Sequence, residues 1–408
     1  MIKKIKIEQL EIGMYVHDFN CGWMTHPFYQ SQLLVKNSAI LNKIVKAGIR
    51  ELYIDTEKGR DLPDAPTAEE AGRQLTREFT RNFQKPVLVR KNVDSALENI
   101  PFEQEIHKAR EVKAAARSHM GRVLNAAAGG RLGSLDDINP LVDNMVESIT
   151  RNENALLSLL RVKKIDEYTY LHSLSVGALL IAFARFMKMS SDDIHNIGIG
   201  GLLHDIGKMQ IPLEILNKPA RLSDAEFRMI KDHVVQSARI LEQNPDLDPI
   251  ILQVASDHHE RFDGTGYPRG LNGDAISLGG QMAAIVDVYD ALSSDRIYHK
   301  GLSPAHTVKK MYEWSKYHFN PDLVHQFIIF IGIYPVGTVV RLGNGLVGVV
   351  IEANRTMPVV RVVYDTKTSR PIGRRTIDLA SAMGQTTKIV SYEDPGQWGI
   401  DVAAVLEA

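Results

Sequence analysis

Five histidines and two aspartates occur in five successive helix-like segments whose other residues are mostly apolar. They are His172, His204, Asp205, His233, His258, His259 and Asp287. A buried imidazole or carboxylate that lacks a partner costs about 2–7 kcal/mol, so such groups facing one another inside a bundle need a common partner. One or two cations would satisfy them together, and helical bundles bind metals in this way. Imidazole nitrogen mixed with carboxylate oxygen suits Fe, Mn, Zn or Ni better than Mg or Ca.

The size of this set bears on the number of metals. A single catalytic metal takes about four to six ligands and keeps one position open for water, so the set over-fills one site. It suits two metals that share a carboxylate, an arrangement that holds the attacking and leaving oxygens of a phosphoryl transfer. For each residue alone, the ordinary interpretation is a hydrogen-bonded or exposed helical side chain. The Gly207-Lys208 pair after Asp205 is likewise a common signal for the end of a helix.

A loop rich in Gly, Asp, Asn and Pro follows the paired histidines, in the stretch "HHERFDGTGYPRGLNGD" (258–274). This composition is typical of turns, in which Gly264 and Gly266 are expected to adopt positive φ. The loop comes directly after two candidate metal ligands and carries Tyr267 between two arginines. We therefore expect a flexible rim for a substrate, with Tyr267 available for stacking or for a hydrogen bond.

Four motifs together resemble the HD-GYP family, the metal-dependent phosphodiesterases of the HD superfamily that hydrolyse cyclic di-GMP in bacteria. The motifs are "YTYLHS" (168–173), "HDIGK" (204–208), "HHERFDGTGYP" (258–268) and "DVYDALSSDR" (287–296). They occur in the order typical of the family, and the resemblance covers about residues 150–333. The first sixty residues and the charged segment after them are similar to the small N-terminal domain that precedes HD-GYP in many such proteins.

The resemblance implies a role for each matching position. The five histidines and two aspartates fall on the family's metal-ligand positions, and Asp205 is the expected bridging ligand. Lys208 matches a lysine close to the scissile phosphate, and Asp290 matches a position behind the ligands. Arg296 matches a phosphate-binding arginine, but three residues later, where a basic residue is usual, this chain has His299 followed by Lys300.

The expected site residues fall into three further sets. Catalysis is expected from Asp205 and Lys208. Substrate contacts are expected from Lys208, Tyr267, Asp290, Arg296 and Lys300. The motif that names the family is Gly266, Tyr267 and Pro268.

One departure from the family concerns a third metal. Family members with three metals carry a glutamate four residues before the first histidine ligand, where this chain has Tyr168. A phenol has a pKa of about 10 and is a poor ligand near neutral pH. We therefore expect two divalent transition-metal ions per chain, Fe or Mn before Ni or Zn. The expected division is His172, His204 and Asp287 on one metal and His233, His258 and His259 on the other, with Asp205 shared.

The function implied by the resemblance is hydrolysis of cyclic di-GMP to linear pGpG, with GMP as an alternative end product, by a hydroxide that bridges the two metals. Two other interpretations stay open. One is a low-turnover sensor of cyclic di-GMP, or a module that contacts diguanylate cyclase (GGDEF) domains through the loop with the GYP motif. The other is an HD-type phosphohydrolase that acts on a different cyclic dinucleotide.

The elements that must position these side chains are mainly helical. We expect an HD-type helical bundle with a dinuclear metal site at 149–333, preceded by charged linker and connecting helices at 61–148. A small α/β domain is expected at 1–60, where short runs alternate between apolar and polar residues. A small β-rich extension is expected at 334–408, because Asn344-Gly345 between two apolar runs predicts a hairpin.

Helix ends are indicated at several points of the bundle. Four start signals are Ser223 with Glu226, Asp248-Pro249, Ser303-Pro304 and Asn320-Pro321. The stretch 101–128 carries an apolar stripe that ends at Gly129-Gly130. We expect that stripe to pack on the bundle or against a second chain, so a homodimer is an option.

The composition excludes several classes of protein. The chain has 408 residues, a formal net charge of -1 and one cysteine, Cys21. This charge does not suit a protein that binds bulk nucleic acid, and a single cysteine allows no internal disulfide. The first residues lack the apolar core of a signal peptide, and no apolar run approaches the roughly 20 residues of a membrane span. The sequence therefore predicts a cytoplasmic protein without a membrane span.

Overall fold

The structure is a computed structural model, and residues 168 and 169 are described by their backbone alone. The described residues are 1–21, 32–83, 100–161, 168–218, 222–294, 301–353, 357–381, 384 and 387–406.

The described residues among the first sixty form an antiparallel four-stranded sheet with one α-helix. In the sheet the strands lie in the order β1-β4-β2-β3. The elements are β1 (Ile2–Lys6), β2 (Tyr15–Asp18), β3 (Leu33–Leu34), α1 (Ser38–Lys46) and β4 (Glu51–Asp55). Alternate residues such as Ile5, Val16 and Ile54 are buried between sheet and helix, as the period of a half-buried strand requires. The α/β character expected for this region is confirmed.

The charged segment after this sheet contains a second helix, α2 (Ala68–Phe83). Its start is a capping box: the Glu70 backbone N–H donates to Thr67 Oγ1 at 3.2 Å, and the Thr67 N–H donates to Glu70 Oε2 at 2.9 Å. Phe79 and Phe83 are buried against the helical bundle. The linker is therefore helical over sixteen residues, because two phenylalanines one turn apart give it an apolar face to bury.

Two long helices follow, α3 (Phe102–Ala128) and α4 (Asn139–Arg161). The apolar stripe of α3 is buried along its length and packs on α4, and α3 ends at Gly129 before Gly130 at φ +73°. Of the two alternatives for the stripe, the structure has it packed on the bundle within one chain. An interruption at Asn152, with φ −159° and ψ 106°, breaks α4 and was not expected from the sequence.

The remaining helices complete the bundle. They are α5 (Tyr168–Phe186), α6 (Ser191–Leu203), α7 (Leu213–Leu216), α8 (Asp224–Lys231), α9 (His233–Leu241), α10 (Pro249–Asp257), α11 (Leu278–Ser293), α12 (Pro304–Trp314) and α13 (Pro321–Ile331). The four expected start signals are confirmed, since Ser223, Asp248, Ser303 and Asn320 each accept a hydrogen bond from a backbone N–H in the first turn that follows. None of the described helices has the length and apolar character needed to cross a bilayer.

The helical pattern around His233 predicts that this residue lies in the middle of one helix, but the structure has two helices there. The stretch "EFRMIKDHVVQSARIL" forms α8 and α9, which are separated at Asp232. The His233 Nδ1 atom lies 2.6 Å from the Ile230 carbonyl oxygen, so the side chain competes for an acceptor of the helical ladder. His233 is therefore the first residue of α9 rather than a residue in the middle of a helix.

The chain closes with an antiparallel five-stranded sheet in the order β8-β7-β6-β5-β9. The strands are β5 (Val339–Leu342), β6 (Leu346–Glu352), β7 (Val359–Asp365), β8 (Arg370–Asp378) and β9 (Ile389–Tyr392), and two short helices follow, α14 (Pro395–Trp398) and α15 (Val402–Leu406). The hairpin expected at Asn344-Gly345 joins β5 to β6, with Gly345 at φ +91°. The mainly α fold with a small β-rich C-terminal part is confirmed.

Candidate metal centre

The seven candidate ligands lie on five helical elements that meet in one place. His172 is near the start of α5, and His204-Asp205 follows the last residue of α6. His233 begins α9, His258-His259 follows α10, and Asp287 lies within α11. Five of the seven ligands, all except His172 and Asp287, lie at or directly after a helix end, where the chain turns and the side chain can face the centre of the bundle. All seven except His259 are buried.

The ligand atoms form two groups. One contains Asp205, His233, His258 and His259, and the other contains His172, His204 and Asp287. Within each group, all of the nitrogen and oxygen atoms that could bind a metal lie within 4.8 Å of one another. Apart from Asp205, which was expected to be shared, each group has the histidines and aspartate that were expected to lie together.

The carboxylate of Asp205 faces both groups. Its Oδ1 atom lies 3.1 Å from His233 Nε2 and 3.8 Å from His258 Nε2. Its Oδ2 atom lies 3.2 Å from His204 Nε2 and 3.6 Å from His172 Nε2. One oxygen is thus directed at each group, which is the geometry that a shared ligand needs.

Hydrogen bonds on the outer side of three rings fix how the imidazoles are presented. The Nδ1 atoms of His204, His233 and His258 lie 2.6–2.9 Å from the backbone carbonyls of Gly201, Ile230 and Ala255. A carbonyl oxygen only accepts, so each Nδ1 carries the proton and each Nε2 directs a lone pair at the centre. Ties of this kind orient histidine ligands in metal sites.

The fourth ring is held by a carboxylate. His172 Nδ1 lies 2.6 Å from Asp290 Oδ2, and the Ser175 hydroxyl donates to Asp290 Oδ1 at 2.6 Å. On the inner side, His172 Nε2 lies 3.1 Å from Asp287 Oδ1. Asp290 thus lies behind a candidate ligand, one helical turn from Asp287 on α11. Ser175, three residues after His172, was not singled out from the sequence.

Two buried atoms point to a cation. His204 Nε2 and Asp205 Oδ1 form no hydrogen bond among the described residues. Buried polar atoms without a partner are costly, and both atoms face other nitrogen and oxygen donors instead of solvent. A transition-metal ion accepts electron pairs from such donors, so the residues present fit bound metal.

The protonation states also suit metal binding. Burial lowers the pKa of His258 to about 3 and holds the pKa of His259 well below its usual value. Burial opposes ionisation of Asp205, but Lys208 and His204 outweigh it and hold its pKa well below the usual range. His204 is the exception: its pKa is raised, because the neighbouring Asp205 outweighs burial, so a metal on Nε2 would have to displace a proton there. Metal sites need neutral imidazoles and ionised carboxylates of this kind.

Lys208 lies in a 3-10 helix, Ile206–Gln210, and its ammonium forms an ion pair with Asp205 Oδ2. Gly207 allows the close packing beneath it, since an added Cβ would lie 2.1 Å from the His233 carbonyl oxygen. Ser237 joins the segments: its hydroxyl accepts from the Gly207 N–H at 2.9 Å and donates to the His204 carbonyl at 2.9 Å. Sequence reasoning missed Ser237, although its position one turn after His233 places it on the same helix face.

The segment 260–273, here called the GYP loop, is held from inside. The buried carboxylate of Glu260 accepts from the Arg269 N–H at 2.8 Å and from the Leu271 N–H at 2.9 Å. Gly264 has φ +77°, as expected. Gly266 does not have a positive φ, and that expectation was wrong. Position 266 requires glycine because there is no room for a side chain: an added Cβ would lie 2.3 Å from the Arg261 backbone nitrogen.

Tyr267 lies against the metal centre. Its ring stacks on His259 with centroids 4.8 Å apart and an angle of 26°, and Lys231 Nζ lies 4.6 Å from the same ring. Its hydroxyl is buried and has no hydrogen-bond partner among the residues that the structure describes. Burial, together with Asp205 and Asp287, raises the pKa of this hydroxyl well above its usual value. Tyr267 therefore keeps its proton and offers a donor; the next peptide bond, to Pro268, is cis.

Some expected site residues lie outside the described part of the chain. Arg296, His299 and Lys300 belong to the segment 295–300, which is not described. Tyr168 is described by its backbone alone, as the first residue of α5. The expectations for these side chains stay predictions.

Comparison with known proteins agrees with these motifs. A family model described as "HD domain" matches residues 140–323, and one described as "Domain of unknown function (DUF3391)" matches residues 2–138. A cyclic di-GMP phosphodiesterase of Pseudomonas aeruginosa is 38% identical over 402 residues, which cover 98% of this chain and 94% of that protein.

Two relatives from Vibrio cholerae match shorter regions. A cyclic di-GMP phosphodiesterase is 30% identical over 245 residues, 54% of this chain and 49% of that protein. A 3'3'-cGAMP-specific phosphodiesterase is 39% identical over 137 residues, 33% of this chain and 29% of that protein. With the likeness to the Pseudomonas aeruginosa protein extending over nearly the whole length, the chain belongs to the HD-GYP family of HD-domain proteins.

Proposed function

We propose that this chain is a metal-dependent phosphodiesterase that hydrolyses cyclic di-GMP to linear pGpG. The observation that carries the proposal is the position of Asp205, whose two carboxylate oxygens face two separate groups of buried ligands. Phosphodiester hydrolysis is the reaction that a pair of metals held by one carboxylate serves well. The relative that matches nearly the whole chain is named a cyclic di-GMP phosphodiesterase, which supports the choice of substrate.

Two divalent transition-metal ions, Fe or Mn before Ni or Zn, are the cofactors that suit these ligands. His172, His204 and Asp287 would hold one, His233, His258 and His259 would hold the other, and Asp205 would contact both. When bound, such a pair supplies Lewis acidity at the phosphoryl oxygens and lowers the pKa of water.

The protein's own residues contribute orientation, charge and a proton donor. Lys208 places a positive charge next to Asp205, at the side of the centre where negative charge develops on a phosphoryl group. Tyr267 has a protonated hydroxyl with no partner in the described structure, so it is free to donate to a substrate oxygen. Asp290 holds the proton of His172 on Nδ1, which keeps Nε2 as the electron-pair donor.

A second substrate has one observation in its favour. Relatives named 3'3'-cGAMP-specific phosphodiesterases are 39% and 37% identical over 137 and 239 residues of this chain. The two cyclic dinucleotides share the same phosphodiester ring and differ in one base. The ligand groups and Lys208 act on the phosphate and do not distinguish the bases, so both nucleotides belong in the test.

The experiment is turnover of the protein loaded with Fe(II) or Mn(II) under reducing, anaerobic conditions. Cyclic di-GMP and 3'3'-cGAMP are compared by liquid chromatography, which separates pGpG from GMP, and metal content is measured by mass spectrometry. We expect about two metals per chain and faster hydrolysis of cyclic di-GMP.

Asp205→Asn tests the site, and Asp143→Asn is its matched control, because Asp143 is a 63% exposed partner of His195 outside the centre. Asp205→Asn should lose metal and turnover together, whereas Asp143→Asn should keep both. A loaded protein that binds cyclic di-GMP without cleaving it would refute the enzyme in favour of a sensor. If the protein hydrolyses 3'3'-cGAMP faster, that nucleotide would replace cyclic di-GMP as the proposed substrate.

A further inference from the structure

The N-terminal sheet touches the GYP loop directly. Arg50, which precedes β4, donates from Nε to Asp263 Oδ2 at 3.2 Å. Gly48, at φ +72°, lies so close to Thr265 that an added Cβ would be 2.6 Å from the threonine Cβ. A side chain and a stretch of backbone from the first sixty residues therefore rest on the loop that carries Tyr267.

The residue that Arg50 contacts shapes the loop from within. Asp263 Oδ1 accepts from the Thr265 N–H at 3.1 Å and from the Thr265 hydroxyl at 2.6 Å. Arg261 Nη1 donates to the same hydroxyl oxygen at 3.2 Å. The two oxygens of Asp263 are thus divided between the loop's own turn and the arginine of the N-terminal sheet. Arg50 restricts the carboxylate on which that turn is built.

The turn is connected to the metal centre by two residues. Gly266 packs directly on the backbone of Arg261, with no room for a Cβ. The next residue, Tyr267, donates its backbone N–H to the His259 carbonyl at 3.1 Å and stacks its ring on the same histidine. The segment from Asp263 to Tyr267 is short and tightly packed. A shift of the Asp263 turn would therefore also move the tyrosine ring.

We propose that Arg50 is a positioning residue of the active site, which acts through Asp263 and Thr265 to hold Tyr267 over His259. The inference rests on the proposed function for what Tyr267 does and on the contacts above for how Tyr267 is held. Arg50 lies in the region that matches a domain of unknown function. Part of that domain's role is thereby assigned: it supports the loop that carries Tyr267.

The effect of Arg50 on the position of Tyr267 is limited because the Arg50–Asp263 ion pair is accessible to solvent. The Arg50 side chain is 41% exposed, and ion pairs of such exposure contribute little. A second ion pair joins the first sixty residues to the helical bundle without touching the GYP loop: Lys43 Nζ lies 3.0 Å from Asp224 Oδ1 at the start of α8. Lys43 therefore supplies a control in which charge is removed from the same contact face but the path to Tyr267 is left intact.

The test compares Arg50→Gln, Arg50→Lys and Lys43→Gln in the full-length, metal-loaded protein. We expect Arg50→Gln to raise KM for cyclic di-GMP about threefold to tenfold with little change in kcat, as the loss of a part-exposed ion pair would. Metal content and melting temperature should match the parent. Arg50→Lys should recover part of the loss, and Lys43→Gln should change neither constant.

Hydrogen exchange of the peptide that covers residues 260–273 gives a readout independent of activity. Exchange of the loop amides should be faster in Arg50→Gln and unchanged in Lys43→Gln. Asp263→Asn should raise KM as Arg50→Gln does, and the double variant should be no worse than either single one. Unchanged exchange in Arg50→Gln, or fully multiplicative KM effects in the double variant, would overturn the proposal. If the parent cleaves no cyclic dinucleotide, the proposed function fails and hydrogen exchange alone still decides whether Arg50 positions the loop.

Discussion

Replacing Asp290 by alanine should weaken the binding of one metal and leave the other nearly unchanged. Asp290 contacts His172, which belongs to one group of ligands, and is not a member of either group itself. Removing its carboxylate leaves the buried Nδ1–H of His172 without this acceptor and frees the ring to turn. The group around His233 and His258 has its own carbonyl ties and does not depend on Asp290.

The magnitude follows from the geometry of the lost contact. The 2.6 Å separation of His172 Nδ1 from Asp290 Oδ2, both buried, is that of a short hydrogen bond to a charged group, worth about 1.5–3 kcal/mol. Loss of such an outer partner typically weakens metal affinity about 10–100-fold, which equals about 1.4–2.7 kcal/mol. Asp290→Asn keeps an acceptor oxygen without the charge, so its loss should be about half of this in free energy.

The assay is competition for Mn(II) or Zn(II) between the protein and a coloured chelator, in which we expect two affinities for the parent. Ser175→Ala is the matched control, because Ser175 donates to the other oxygen of Asp290 and its loss leaves the histidine tie in place. We expect Asp290→Ala to lower one affinity about 10–100-fold and Ser175→Ala to lower it less. Two unchanged affinities in Asp290→Ala would refute the idea that this carboxylate orients His172, as would an equal loss in both.

Three further predictions concern Lys208, Gly266 and His318, a buried histidine whose backbone carbonyl accepts from the Phe262 N–H of the GYP loop at 3.0 Å. Lys208→Met should keep its metal but lose about 10²–10³-fold in kcat, because its charge faces the phosphoryl group; an equal loss of metal would show a structural role instead. Gly266→Ala should destabilise the protein by about 1–3 kcal/mol in urea unfolding, since the added Cβ meets the Arg261 backbone; unchanged stability would contradict the tight packing. Burial lowers the pKa of His318, so its neutral form stabilises the fold above pH about 6.5, and this contribution is lost as pH falls further. His318→Asn should lose less stability than the parent between pH 7 and pH 5; parallel unfolding curves would exclude a contribution from His318.

Local signals in the sequence account for much of the fold. The start signals at Ser223, Asp248, Ser303 and Asn320 need only neighbours within a helical turn, so they can be identified without a tertiary structure. The Asn344-Gly345 hairpin is local in the same sense. The gathering of the candidate ligands could be anticipated as well, because buried ionisable groups on neighbouring helices must share a partner.

Features that depend on contacts between residues distant in the chain could not be predicted from the sequence. The separation of α8 from α9 accompanies a bond between the His233 ring and a backbone carbonyl, and the ring's position depends on the whole centre. Glu260 looks like an ordinary charged residue until the loop folds back and places two backbone N–H groups on it. The expectation of a positive φ at Gly266 was wrong because a different constraint requires glycine there. The Arg261 backbone lies too close to leave room for a side chain, and such a contact cannot be predicted from φ preferences.

The direction of the helices at the metal centre has a consequence for its electrostatic field. Two of them, α6 and α10, end immediately before the His204-Asp205 and His258-His259 pairs. The carboxyl end of a helix carries roughly half a negative elementary charge from its aligned peptide dipoles. At these two pairs the backbone itself therefore favours cations, whereas α9 begins at His233 and the opposite partial charge of its amino end offsets part of this attraction. Because peptide dipoles do not titrate, this part of the attraction stays constant across the pH range in which the imidazoles gain and lose their protons.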